Sequence, residues 1–325
     1  MQRTATPTRP KALEDLVDAR LIARIEPLDL SSRRIFAGKL LGERRSKKRG
    51  QSVEFADHRP YVTGDDLRRI DWNIFGRLDR LFMKLFLEEE DLCLHLVLDA
   101  SASSDCGEPG KFLFQQRAAM ALGYVGLVNL NRVACSVMGG VMGGVTGGVM
   151  GDQEQASEAS MPLVSALKDL RGRRRTQDLS RFLCSIEPGG AFSFRAAAER
   201  IALSRRGKGV MVVFSDFFFK DGYEQGLRLL SGRGYDVFVV QVLSPQEIEP
   251  DLTGDLKLKD VEDADLAEVT ISAPLLKRYK ANLKAYTEQL QQFGARRDLN
   301  VMTVRSDTPI DTLILDYFRT RGLVK

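Results

Sequence analysis

The sequence predicts an α/β protein built on a doubly wound, mostly parallel sheet, with a small N-terminal α+β module ahead of it. Two observations carry that expectation. A near-continuous apolar run at residues 92–98 (LCLHLVL) has the composition of a strand buried on both faces. Comparable runs follow at 132–137, 210–215 (VMVVFS), 236–243 (DVFVVQVL) and 300–304, separated by stretches of helical spacing. That alternation is the signature of a parallel sheet covered by helices on both sides.

Taken in order, residues 1–10 read as a loose polar tail. Leu13, Leu16, Val17, Leu21 and Ile22 predict a helix over 12–24, and Leu30, Ile35, Phe36 and Leu40 a second over 29–41. A polar loop, GERRSKKRG, occupies 42–50. From 53 to 90 the segments are short. Gly64-Asp65-Asp66 fits the start of a helical turn, because an aspartate there can accept free backbone N–H groups, and 80–87 (RLFMKLFL) reads as a strand. The α+β module is therefore expected at 1–90 and the sheet domain at 91–325. Helices are expected at 111–129, 195–204, 223–232, 274–297 and 309–321. An insertion at 244–272 is expected to carry short strands at 256–258 and 268–271. Residues 137–152 repeat VMGG, VMGG, VTGG, VMGD, too short a series for a solenoid. Paired glycines lose much backbone entropy on ordering, so a mobile loop or weak hairpin is expected there.

Composition narrows the function classes. Apolar residues make up 43% and charged residues 28%, which excludes wholesale disorder. With 48 basic and 44 acidic side chains the net charge of +4 is too mild to imply nucleic acid. Four cysteines form no CxxC pair, and Cys93 and Cys135 sit inside apolar runs, as small core residues in a reducing compartment do. His58 and His95 are the only histidines, which disfavours a mixed Cys/His zinc site. The segment 1–11 is polar and does not read as a secretory leader, and no apolar run reaches the roughly 18 residues of a membrane span. The expectation is a cytoplasmic protein.

The sharpest chemical signal is Asp99-Ala100-Ser101-Ala102-Ser103, directly after the first core strand. Ligands of open parallel sheets bind beyond the carboxyl ends of strands, and one carboxylate with two hydroxyls offers hard oxygens suited to Mg²⁺ or Mn²⁺. Asp216 follows the strand at 210–215 in the same way, so both acids could meet on one crest. The alternative is that Asp99 and its serines only cap the next turn. In GDDLRRIDW (64–72), Asp65, Asp66 and Asp71 interleave with Arg68 and Arg69, with Arg59 nearby. Such density predicts a structural ion-pair network, in which removing a partly buried partner costs about 3–5 kcal/mol. Trp72 is expected as a core anchor. The basic residues between Arg33 and Arg49 face the single acid Glu43; with no interleaved aromatics, an acidic protein or plain solvent is preferred over nucleic acid. No phosphate-binding GxxxxGK[ST], GxSxG elbow, HExxH or post-strand GxGxxG is present.

The segment RRSKKRGQSVEFADHRPYVTGDDLRRIDW (44–72) followed by DASAS resembles the bacterial family called domain of unknown function 58, with signature RGxxxEFxxxRxYxxGDDxRxIDW. The matching positions include Arg59, Gly64, Asp65, Asp66, Arg68, Asp71 and Trp72. VFSDFF (213–218), LSPQEIEPDLTGDLKLKD (243–260) and RRDLNVMTVRSDTP (296–309) are also similar to it, so the likeness covers about 30–325. The resemblance implies a von Willebrand factor A-like domain whose metal-ion-dependent adhesion site maps to Asp99, Ser101, Ser103 and Asp216, and a MoxR-type AAA+ ATPase as partner in protein maturation or assembly. One position departs from the pattern. In Gly189-Gly190-Ala191-Phe192-Ser193 a phenylalanine stands where the site takes a threonine, leaving Ser193 as the substitute hydroxyl. Thr176 is a further candidate, in the wrong segment. The expectation is a protein-interaction adaptor with a degenerate adhesion site and no catalytic residues. The alternative is a Mg²⁺-dependent hydrolase using Asp99 and Asp216.

Overall fold

The computed structural model describes residues 9–32, 54–87 (except 64, 66, 68 and 69), 92–142, 164–204 (except 191), 209–232, 235–251, 254–259 and 266–325. The chain divides into two units, Leu41–Asp91 and the combination of Met1–Leu40 with Leu92–Lys325. This differs from a module spanning 1–90, and the reason is burial. Leu16, Val17, Leu21, Ile25, Leu28 and Leu30 all enter the hydrophobic core of the sheet unit. The expected helix at 12–24 is two short ones, Leu13–Leu16 and Ala19–Ile25, broken where the Asp18 side chain accepts from Leu21 N at 2.6 Å. Of the helix expected at 29–41, the described part is not helical. Leu30 forms a β-bridge with Val324, and the remainder lies outside the described residues.

In chain order the described strands are β1 (Glu54–Pro60), β2 (Phe82–Leu87), β3 (Cys93–Asp99), β4 (Arg132–Met138), β5 (Val141–Met142), β6 (Val164–Leu170), β7 (Ile186–Glu187), β8 (Gly209–Ser215), β9 (Tyr235–Leu243), β10 (Gly254–Lys259), β11 (Leu266–Ile271) and β12 (Asn300–Arg305). The central sheet contains β3, β4, β6, β8, β9 and β12. Its order in space is β12-β9-β8-β3-β4-β6, with every neighbouring pair parallel except β4 and β6. Pleating sends Leu94, Leu96 and Leu98 of β3 into one apolar layer and Cys93 and Val97 into the other. The helix Lys111–Val128 covers the first layer, buried around nearly all its circumference because the N-terminal segment packs over it. The helices Phe194–Ser204 and Glu224–Ser231 cover the second. His95 lies inside β3, its Nε2 paired at 2.8 Å with Ser136 Oγ. Gly209 opens β8 where a Cβ would stand 1.9 Å from the Cys93 carbonyl oxygen, so no other residue fits. All four cysteines are free thiols.

The edge strand β6 and the helix Thr176–Cys184 were not expected. The insertion forms an antiparallel hairpin of β10 (Gly254–Lys259) and β11 (Leu266–Ile271), followed by the helix Ala273–Ala295. The C-terminal helix is a single turn, Ile310–Thr312, that continues as a π-helical stretch, Leu313–Phe318.

In the other unit, β1 (Glu54–Pro60) pairs antiparallel with β2 (Phe82–Leu87), and the helix Trp72–Leu78 lies between them in sequence. Asp71 caps that helix, its Oδ1 accepting from Asn73 N at 3.0 Å and Ile74 N at 3.2 Å, while Oδ2 lies 2.9 Å from His58 Nε2. Arg59 donates twice to Asp65, at 2.7 Å each, and the guanidinium holds the Asp65 carboxyl down to about 2. Gly64, Asp66, Arg68 and Arg69 lie outside the described residues, as does the basic run from Arg33 to Arg49. Trp72 corrects the sequence reading. It is 62% exposed and touches Phe75 edge-on at 6.1 Å, because the first turn of this helix places its ring on the solvent side.

Candidate functional site

Numbered one to six along the chain, the sheet strands stand in the order 3-2-1-4-5-6. The first and fourth, β3 and β8, are neighbours whose onward connections leave in opposite directions. This is the topological switch point, where a doubly wound sheet opens a crevice at the carboxyl ends of its strands. β3 ends on Asp99, and β8 ends on Ser215 with Asp216 next.

The structure therefore brings the two acids to adjacent strand ends, and each is already engaged. Asp99 is fully buried; its Oδ1 accepts from Ser101 N at 2.9 Å and its Oδ2 from Ser215 Oγ at 2.5 Å. Burial pushes its carboxyl up to about 6, with the negative charge of Asp216 adding to the effect. Asp216 is 3% exposed. Its Oδ1 accepts from Phe218 N at 3.1 Å, and its Oδ2 receives a 2.7 Å charge-assisted bond from Lys111 Nζ. Lys111 in turn donates to Glu247 Oε1 at 2.7 Å, and Glu247 Oε2 accepts from Ser244 N at 2.7 Å and Ser244 Oγ at 3.0 Å. Burial alone would lower the lysine's proton affinity, but the two carboxylates outweigh it, so the ammonium is held charged.

Lys111 and Glu247 are the site residues that sequence reasoning missed. Signals for both were present. A lysine opens a mostly apolar helix, where the positive end of the backbone dipole disfavours it, and Ser244-Pro245-Gln246-Glu247 is a capping box.

Ser101 Oγ lies 3.0 Å from Ser103 Oγ and 3.4 Å from Ser104 Oγ, forming a hydroxyl cluster at the mouth of the crevice. Three loops are sewn together around it. Ala100 N donates to Met138 O, Ala102 N to Gly190 O, Gly189 N to Ala100 O, and Gly140 N to Gly189 O. Gly139 and Gly140, the first glycine pair of the VMGG series, take φ of 68° and 73°, the left-handed region where a side chain is strained. A Cβ on Gly139 would stand 2.7 Å from the ring of Phe192. The first repeat is thus a built part of the crest, while 143–152 lies outside the described residues. Phe192 also meets Phe219, ring centres 5.7 Å apart. Ser101, Phe192, Ser193, Phe219, Lys220 and Asp221 border a hollow of about 330 Å³. Ser193 Oγ accepts weakly from Ala196 N at 3.4 Å, so it helps start a helix while reaching the hollow. Thr176 donates to Arg173 O instead, in a separate turn.

These donors do not fit a tightly held divalent ion. Mg²⁺ and Mn²⁺ take about six oxygens and favour free carboxylates. Here each acid already accepts from internal donors, Phe192 lines the hollow with a hydrocarbon ring, and the Lys111 ammonium is bonded to Asp216. Among the described residues no group of three or more His, Cys, Asp or Glu side chains could hold a metal.

Comparison with known proteins places the chain. Residues 57–289, well over half its length, match the family described as protein of unknown function DUF58. The chain belongs to the DUF58 family. Uncharacterised proteins of Mycobacterium bovis and Mycobacterium tuberculosis are similar to this DUF58 chain, 27% identical over 267 residues, covering 80% of it and 77% of each relative. An uncharacterised Mycobacterium avium protein is 26% identical over 154 residues, covering 46% of this chain and 90% of its own. Among solved structures, the conserved hypothetical protein BatB from Bacteroides thetaiotaomicron aligns over 70% of the DUF58 chain and 98% of its own. Its TM-score is 0.41 at 14% identity. An aerotolerance-related membrane protein from Bacteroides fragilis aligns over 70% and 97%, with TM-score 0.42 at 17% identity.

Proposed function

We propose that this protein is a von Willebrand factor A-like interaction adaptor whose docking crest is the loop set at the sheet's switch point. The observation that supports this reading most is the convergence of the Asp99–Ser103 loop and Asp216 beyond adjacent strand ends in a 3-2-1-4-5-6 sheet. Such a crest offers a hydroxyl cluster beside an aromatic-walled hollow rimmed by Lys220 and Asp221, which suits a protruding partner side chain. Binding and not turnover is favoured because both acids are buried and each already accepts from internal donors, which argues against a hydrolase built on Asp99 and Asp216. The partner is a MoxR-type AAA+ ATPase, as the family resemblance implies, and the adaptor works in the cytoplasm. Among the described residues no helix is long and apolar enough to cross a membrane.

The test uses the purified chain with the purified MoxR-type ATPase of the same organism, followed by sedimentation and calorimetry. Specific binding should weaken at least tenfold in Ser103→Lys, which blocks the crest mouth, with no loss of thermal stability. Absence of binding by the wild-type chain, or binding indifferent to Ser103→Lys, refutes the adaptor crest.

A further inference from the structure

We infer that Lys111 is a tethered cation that takes over the charge-balancing work of a divalent ion, so that this crest is ordered and recognises its partner without metal. The juxtaposition is specific. Lys111 begins the helix that follows the Asp99–Ser103 loop, Asp216 follows β8, and Glu247 sits in the turn after β9. One ammonium, 1% exposed, joins all three at 2.7 Å to each carboxylate. It therefore pins the segments that follow three neighbouring strands, β3, β8 and β9, across the switch point.

The trio of Lys111, Asp216 and Glu247 carries one positive and two negative charges, and its hydrogen bonds are met locally. Asp216 and Glu247 divide their remaining oxygens among Phe218 N, Ser244 N and Ser244 Oγ, and the ammonium spends two of its three N–H groups on them. Placing a doubly charged ion beside Asp216 would set it against a buried ammonium in a site of low polarity, where like charges repel strongly. Phe192 at the threonine position fits this reading. Its ring meets Phe219 and lies where a Cβ on Gly139 would stand 2.7 Å away, so this wall of the hollow is apolar. The apolar ring of Phe192 in the hollow and the charge supplied by Lys111 point the same way. A covalently attached cation cannot dissociate, so crest order does not follow the supply of free Mg²⁺.

The metal part of this inference stands without the adaptor reading; the partner part rests on it. Mg²⁺ and Mn²⁺ alone are titrated into the EDTA-treated chain by calorimetry, and the melting temperature is read with EDTA and with excess Mn²⁺. The wild-type chain should give no saturable heat and no shift. Lys111→Met should melt lower in EDTA and recover by about 5 °C at a hundredfold excess over its dissociation constant. Should Lys111→Met not fold, Lys111→Gln combined with Glu247→Gln, which removes one charge of each sign, serves for the same comparison. Saturable Mn²⁺ binding by the wild-type chain that is lost in Ser101→Ala overturns the inference, as does a Mn²⁺ response in the lysine variants no larger than wild type. With the ATPase present, equal affinity in EDTA and in Mg²⁺ supports metal-free recognition. A tenfold loss in EDTA overturns it. Failure of the ATPase to bind at all removes the adaptor reading while the titrations still judge Lys111.

Discussion

Asp99 should make the fold less stable as pH rises, the reverse of an ordinary paired carboxylate. Its carboxyl is raised to about 6 in the folded chain against the ordinary aspartate value of 3.8 when unfolded, first by burial and then by the charge of Asp216. Between those values the native state holds the proton and the unfolded state does not, so stability falls with rising pH across that window. The group contributes almost no penalty below about pH 3. By pH 8 the penalty amounts to about 3 kcal/mol, and at pH 5 about half of that has appeared. Asp99→Asn keeps the shape and an acceptor for Ser101 N, and its amide can donate to Ser215 Oγ, which also accepts from Phe217 N at 2.9 Å.

Urea unfolding of both proteins at intervals from pH 5 to pH 8 isolates the effect. Other groups are common to both chains, and Asp65, held at about 2, does not titrate in this range. The variant should gain on the wild type by about 1.5 kcal/mol between pH 5 and pH 8, with equal slopes against urea. A difference independent of pH, or one that shrinks as pH rises, would refute the reasoning that Asp99 is ionised against the fold.

Ser215→Ala removes one of the two donors that Asp99 accepts, leaving a buried oxygen unsatisfied. It should cost about 1–3 kcal/mol at pH 8 and less at pH 5, read from the same urea curves. Gly140→Ala forces a side chain into left-handed backbone at φ 73° and within 2.9 Å of Ala100 Cβ. A loss of about 1–3 kcal/mol with weakened ATPase binding is expected, whereas an unchanged melting temperature would show that the first repeat is not a built part of the crest. Trp72 is the sole tryptophan, so intrinsic fluorescence reports on it alone. Acrylamide should quench the native chain nearly as well as the unfolded one; strong protection in the native state would contradict its exposed position.

What the sequence shows and hides follows from how far apart interacting residues lie along the chain. Strands buried on both faces, such as LCLHLVL and VMVVFS, announce themselves because every position is apolar. The edge strand β6 does not, since half of VSALKDL faces water and resembles a loop. Asp99 and its serines are legible because their spacing is local and follows a strand. Trp72 misleads for the opposite reason: a large aromatic suggests burial, yet its direction depends on where a helix happens to begin. The N-terminal helices show their apolar faces in sequence, but not which unit those faces will join. Lys111 is hidden most deeply, because its partners lie 105 and 136 residues further on. Only a local mismatch marks it, a cation at the wrong end of a helix dipole with apolar neighbours all round. A residue that local rules disfavour is held there by something distant, and here the distant groups are two carboxylates at the ends of neighbouring strands. That mismatch is consequently the most informative position in the chain, for it separates a crest that needs an ion from one that carries its own.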